Sequence, residues 1–281
     1  MAIRPLQKLQ DTQMHSTASA WIDELDHQLD QATTDRSLLC RKILTDLMYP
    51  DYASNWETAI QDRTLPHATR LALAATDPRN ITLEPEYYAD CQQERFQKVK
   101  PLLWLWYSFD RTSAGGQNVW LGVELRRVLA KYIFKRVGEN FKCFQNVEFS
   151  FGYNMEVGDN CVVHRHVLLD DRGGIVMGNN VSISDYANIY SHTHSIVEQK
   201  DVTNATTRLD DGVRITYHAT VLAGVHVKEQ GMVGAVAVAT KDVRPYHVYV
   251  GIPAKSVRVK PNAPQGGSDI ILKTSEERRE S

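Results

Sequence analysis

The chain has 281 residues, 42% hydrophobic and 23% charged, with 32 basic and 34 acidic side chains and a net charge of -2. This is the composition of a globular protein of one large or two smaller domains, with no global electrostatic case for nucleic acid or an anionic membrane. The longest apolar run, 102–107, is too short to span a bilayer and MAIRPLQKLQ lacks a signal-peptide core. The four cysteines form no CxxC pair, so neither a disulfide framework nor a thiolate zinc site is indicated and the cytoplasm is the expected compartment.

The first half reads as helices. Residues 16–32 carry Trp21, Leu25 and Leu29 four apart, and residues 35–48 repeat this with Leu39, Ile43 and Leu47 before Pro50. Ser54-Asn-Trp-Glu57 has capping-box spacing, Pro66 opens an alanine-rich segment, and Pro85 opens one expected to end at Pro101. Residues 119–137 place Leu121, Leu125, Val128, Leu129, Tyr132 and Phe134 among basic residues. Such a helix can lie on a membrane surface, but its position favours packing its apolar stripe on the domain that follows. Residues 1–139 are therefore read as an α-helical unit.

A different period then begins. Aliphatic residues recur every six positions at Val157, Val163 and Leu169, at Met177, Ile183 and Ile189, and at Ile215, Val221, Val227, Val233 and Ala239. A second, smaller inward position follows four residues after most of them, at Cys161, Val167, Val181, Ala187, Thr193, Ala219, Val225, Gly231 and Ala237. Paired inward positions on a six-residue period mark a parallel β-helix, whose short repeats close a core only by stacking. Gly158-Asp-Asn160, Gly178-Asn-Asn180 and Asp211-Gly212 supply turn residues that tolerate positive φ. Polar interruptions at 170–174 and 195–211 are expected to project as loops, and 261–281, with Gly266-Gly267, reads as a flexible tail.

Four segments carry a resemblance: Ile189-Tyr-Ser-His-Thr-His194, Leu222-Ala-Gly-Val-His-Val227, Val238-Ala-Thr-Lys-Asp-Val243 and Gly251-Ile-Pro-Ala-Lys255. They resemble the hexapeptide-repeat acyltransferases that include the maltose and galactoside O-acetyltransferases. The likeness spans 140–260 and implies a left-handed parallel β-helix, a homotrimer with intersubunit active sites, and acetyl-CoA as acyl donor without a metal.

Acyl transfer to a hydroxyl needs a base that titrates near neutrality, which suits histidine. The resemblance puts His194 in that role, and strand alternation turns both His192 and His194 outward. The acceptor, a small-molecule or sugar-like hydroxyl, is expected near His192, His164 and Asp171. Sugar acetyltransferases commonly carry asparagine near the position of His164, so this chain departs from them there. The family match assigns an oxyanion-binding amide near Tyr217 of a neighbouring subunit, a pantetheine path along Ala235, Thr240 and Lys241, and phosphate contacts at Lys255 and Arg258. Val236 replaces a glycine of many relatives, and Cys161 is read as core.

Three alternatives stand beside this reading. A helical unit before a β-helix also resembles serine acetyltransferase, although the His-Pro-Gly-Ala, Asp-His and Gly-Gly-Thr-Gly-Lys motifs of that family are absent. A γ-carbonic-anhydrase-like zinc site would draw on His164, His166, His192 and His194. A non-catalytic scaffold would need no outward histidine at 194.

Overall fold

The computed structural model describes residues 15–198 and 200–264. All but the first four residues of the expected tail therefore lie outside the described residues. The helical half contains α1 (His15–Asp30), α2 (Arg36–Met48), α3 (Trp56–Ala59), α4 (His67–Ala74), α5 (Tyr87–Asp90), α6 (Gln93–Phe109) and α7 (Val119–Ile133). Among the described residues no helix is long and apolar enough to cross a membrane.

Two details of the helical half depart from the sequence reading. Asn55, not Ser54, precedes α3, and it makes no side-chain capping bond. Pro101 lies inside α6 instead of ending it. A proline there removes one backbone donor, but the helix is held by its buried face, with Leu102, Leu105 and Trp106 fully enclosed. The segment from Pro85 is accordingly split, since α5 ends at Asp90 and α6 starts afresh at Gln93.

The second half is a left-handed parallel β-helix. Two- and three-residue strands stack into three parallel sheets, exemplified by the registers Val157↔Met177, Val163↔Ile183 and Leu169↔Ile189. Every large position of the six-residue period is buried, from Val157 to Ala239. The period works because each coil turns at three corners and sends one aliphatic side chain into the axis from each sheet. At the corner between the first and second sheets the backbone takes positive φ at Asn160 (57°), Asn180 (58°) and Gly212 (67°), as their residue types predict.

The small positions follow the pattern with one exception. Thr193 is exposed. The coil register stops at Ser191, and 192–194 leave the solenoid to pair antiparallel with Val202–Asn204. Thr207–Leu209 then re-enters as a solenoid strand between Ile175–Met177 and His226–Val227. Among the described residues, 192–198 and 200–206 therefore project, and 207–211 do not. The expected short loop at 170–174 does not project, because Asp170, Asp171 and Arg172 are all buried.

A stacked coil leaves unpaired backbone groups on its end strands, and such edges invite further pairing. Here α6 and α7 cover the first coil. Trp106 donates to the Val147 carbonyl (3.1 Å) and Arg127 to that of Phe141 (3.1 Å). The Tyr107 hydroxyl donates to the Phe149 carbonyl and accepts from the Phe149 N–H. Edge-to-face rings reinforce the junction, with Phe149 5.3 Å from Trp106 and 5.2 Å from Phe134. The apolar stripe of α7 is thus buried against the coil instead of facing a membrane.

Arg126 sits in this junction, almost fully enclosed, paired with the equally enclosed Asp110 and donating to the Cys143 carbonyl at 3.2 Å. Breaking a buried pair leaves a charge without compensation. Arg126→Met is expected to lower unfolding stability by about 3–5 kcal/mol, and Asp110→Asn added to it should recover part of the loss. Urea titrations of the single and double variants check this.

Candidate functional site

The site grows out of one turn, Asp170-Asp171-Arg172, at the corner between the third and first sheets. Gly173 lets this turn lie against the root of the projecting ribbon, since a Cβ there would stand 2.2 Å from the Ser191 carbonyl oxygen. The three preceding side chains go in three directions. Asp171 turns in and accepts from the backbone N–H groups of Phe151 (2.7 Å) and Asn154 (3.0 Å). Asp170 accepts from Ser150 Oγ (2.5 Å), from the Ser191 N–H (3.1 Å) and from His192 Nδ1 (2.5 Å). Arg172 reaches the helical half, donating from Nε to Asp90 Oδ2 (2.9 Å) and from Nη1 to Glu86 Oε1 (2.5 Å).

His192 and His194 lie one residue apart on the same strand of the ribbon and so share a face. Their ring centroids are 5.4 Å apart, edge to face. With Nδ1 given to the Asp170 carboxylate, His192 presents Nε2 outward. His194 Nε2 lies 3.4 Å from Glu86 Oε1, and its side chain is 34% exposed. The Arg172 hydrogen bond holds the Glu86 carboxyl below the usual carboxylate range. The result is a partly open patch with two imidazoles, one oriented by a buried carboxylate and one beside an ionised carboxylate from the helical half.

The sequence singled out some of these residues and missed others. Asp171, expected to meet an acceptor, has no exposed surface, and both its carboxylate oxygens are engaged by backbone N–H groups. Its neighbour Asp170 is the carboxylate that touches a site histidine. The alternation from the inward Leu169 already points Asp171 to the interior. Glu86 and Arg172 were missed because they join across 86 residues of chain, a separation no local pattern reports.

His164 is not brought to this patch. It follows the second-sheet strand Val162–Val163 and stacks on Phe144 at 5.0 Å, on a different corner from His192. His166 stacks on Tyr186 at 4.8 Å on that same corner, so the four histidines of the zinc alternative do not converge within the chain. Tyr217, half exposed, packs edge-on against Tyr186 and His218 there. Exposed Ala235 is one coil further along, where the Val236 N–H donates to the Tyr217 carbonyl at 2.9 Å. Val236 holds φ at 62°, a conformation that strains a β-branched residue and that glycine adopts readily.

Exposed Thr240 and Lys241 follow the third-sheet strand Val238–Ala239. They occupy the His192 corner two coils on, about 10 Å along the axis at ordinary strand spacing. Lys255 and Arg258 are exposed on the antiparallel strand Lys255–Val259 that pairs with His247–Val250. Cys161 is buried core.

Fold and repeats define the class: a hexapeptide-repeat left-handed β-helix protein. In sequence the chain resembles the hexapeptide-repeat acyltransferases. It is 28% identical to the galactoside O-acetyltransferase of Escherichia coli K12 over 140 residues, 48% of this chain and 69% of that one. It is 29% identical to a dTDP-4-amino-4,6-dideoxy-D-glucose acyltransferase of Escherichia coli over 156 residues, 44% of this chain and 81% of that one. Among solved structures, a maltose O-acetyltransferase from Clostridium difficile 630 superposes with a TM-score of 0.53 at 23% identity, covering 62% of this chain and 91% of that one. A galactoside acetyltransferase in complex with coenzyme A gives 0.53 at 23%, covering 64% and 92%. No family model matches.

Burial pushes the Asp171 carboxyl up to about 6 from 3.8, against the hydrogen bonds that Phe151 and Asn154 donate to it. The folded state therefore binds this proton more tightly than the unfolded chain. The stability it brings is complete below 3.8 and is lost as pH rises through 6. Asp171→Asn removes the titration. The stability of the natural chain relative to that variant is expected to fall by about 2 kcal/mol between pH 4 and 7, measurable by urea unfolding at both values.

Proposed function

We propose that the chain is a CoA-dependent O-acyltransferase that moves an acetyl group from acetyl-CoA to a hydroxyl of a small-molecule or sugar-like acceptor, with His194 as general base. The observation that carries this reading is the pair of partly open imidazoles at the root of the ribbon, His192 anchored by buried Asp170 and His194 beside Glu86. Sequence likeness to acyltransferases and the shared fold support it. A scaffold has no use for a carboxylate–histidine pair at the mouth of a projecting ribbon.

In this reading His194 takes the acceptor proton as the hydroxyl oxygen attacks the thioester carbonyl. The carbonyl becomes a tetrahedral oxyanion, met by a backbone N–H near Tyr217. The C–S bond then breaks, and CoA leaves as the thiol after receiving the proton. No acyl-enzyme forms. Asp170 fixes the ring of His192, which packs edge-on against His194 and limits its rotation.

Tyr217 and Ala235 lie on a different corner of the coil from His194, so within one chain they cannot share a substrate with it. A homotrimer with intersubunit sites supplies the missing half, each copy presenting its Tyr217 corner to the ribbon of the next. The pantetheine then runs along Ala235, Thr240 and Lys241, with Lys255 and Arg258 meeting phosphates as cationic groups suited to them.

His194→Ala is expected to lower turnover by about a hundredfold or more while acetyl-CoA binding stays nearly unchanged, as loss of a general base requires. Titration calorimetry with acetyl-CoA gives the binding, and product analysis distinguishes an ester from an amide. Retention of most of the turnover, or an amide as the sole product, refutes the assignment.

A further inference from the structure

The Glu86, His192 and His194 cluster has the composition and connectivity of a three-ligand metal site. One donor atom from each lies within 4.8 Å of the others. Around a tetrahedral zinc ion with bonds near 2 Å, donors stand about 3.4 Å apart. A small shift of the Glu86 and His194 side chains, 40% and 34% exposed, closes that gap while Asp170 keeps His192 in place.

The surroundings favour a cation over mere coincidence of three ligands. His192 gives Nδ1 to the Asp170 carboxylate at 2.5 Å, which fixes the tautomer that leaves Nε2 as ligand. This carboxylate–histidine arrangement is the usual outer shell of a metal-bound imidazole. Arg172 donates to Oε1 of Glu86, so Oε2 remains to coordinate. Arg172 also spends charge on Asp90 at 2.5 Å. Three carboxylates, Glu86, Asp90 and Asp170, stand around the one guanidinium of Arg172, an acidic balance that suits a cation.

We propose that Glu86, His192 and His194 form a binding site for a zinc-type divalent cation, with Asp170 as the hydrogen-bond partner that orients His192. Two nitrogens and one carboxylate oxygen select zinc or cobalt over magnesium and calcium, which favour all-oxygen sites. Three protein ligands leave a fourth position for water or an acceptor oxygen. Within the acyltransferase reading, the bound ion competes with the proton for His194 and holds transfer in check. That consequence rests on the proposed activity, whereas the binding itself does not.

The test uses the full chain, freed of metal, and titrates Zn²⁺ by calorimetry and Co²⁺ by visible absorption. One Zn²⁺ per chain with micromolar or tighter affinity is expected. Co²⁺ should give d–d bands without thiolate charge transfer, which separates this site from the cysteines. His192→Ala and His194→Ala are each expected to weaken Zn²⁺ binding at least tenfold, and Glu86→Gln likewise. Asp170→Asn is expected to weaken it about tenfold as an outer-shell change. Circular dichroism confirms that each variant is folded. Absence of Zn²⁺ binding to the natural chain overturns the proposal, as does unchanged affinity in the His192→Ala, His194→Ala double variant or in Glu86→Gln. Acetyl-CoA titrations of the same samples report on the acyltransferase reading separately, so either reading can fail alone.

Discussion

The site depends on the burial of three consecutive charged side chains in one turn. Asp170, Asp171 and Arg172 are all enclosed, and an enclosed charge is tolerated only when paired or hydrogen-bonded. Each satisfies that demand differently. Asp171 is held by the N–H groups of Phe151 and Asn154, which fixes the turn to the coil before it. Asp170 takes the ribbon through Ser191 and His192. Arg172 takes the helical half through Glu86 and Asp90. The demand that these charges find partners thus determines where the ribbon leaves the coil and where α5 lies against it.

This gives the helical half two physical tasks. It closes the coil, with Trp106, Tyr107, Arg126 and Arg127 supplying donors to the carbonyls of the first strands. A solenoid end without such a cover exposes both backbone groups and the apolar axis. It also places Glu86 beside His194.

Much of the coil was legible in the sequence because each inward residue reports its own environment. Burial follows from side-chain type at Val157, Ile183 or Val221, whatever the rest of the chain does. The positive φ at Asn160 and Gly212 is equally local. What failed to show locally was whatever depends on distant partners. Thr193 obeys the period by type, yet the coil ends two residues earlier, since the Asp170 carboxylate captures the Ser191 N–H and His192. Pro101 carries a local stop signal that the buried face of α6 overrides. His192 and His194 were visible as outward histidines, while Asp170, Glu86 and Arg172 acquire meaning only through contacts made across the fold. Between Asp170 and Asp171 the sequence offered a choice, and the strand alternation that settles it was present in Leu169.

The two sides of the patch differ in how firmly they are held. On the coil side, Asp170 and Arg172 are locked by several hydrogen bonds each, so the ring of His192 and the carboxylate of Glu86 have fixed references. On the ribbon side, the strand pair ends in a tip where Ile196 and Val197 are 102% and 90% exposed. Full exposure of two adjacent aliphatic side chains is unfavourable in water and is relieved when a surface covers them. The anchoring at the root holds the His192 ring through Asp170, whatever covers the tip. Preorganisation of that kind matters most for a group that must receive a proton at one moment of a reaction, since its alignment is then already set when charge begins to develop.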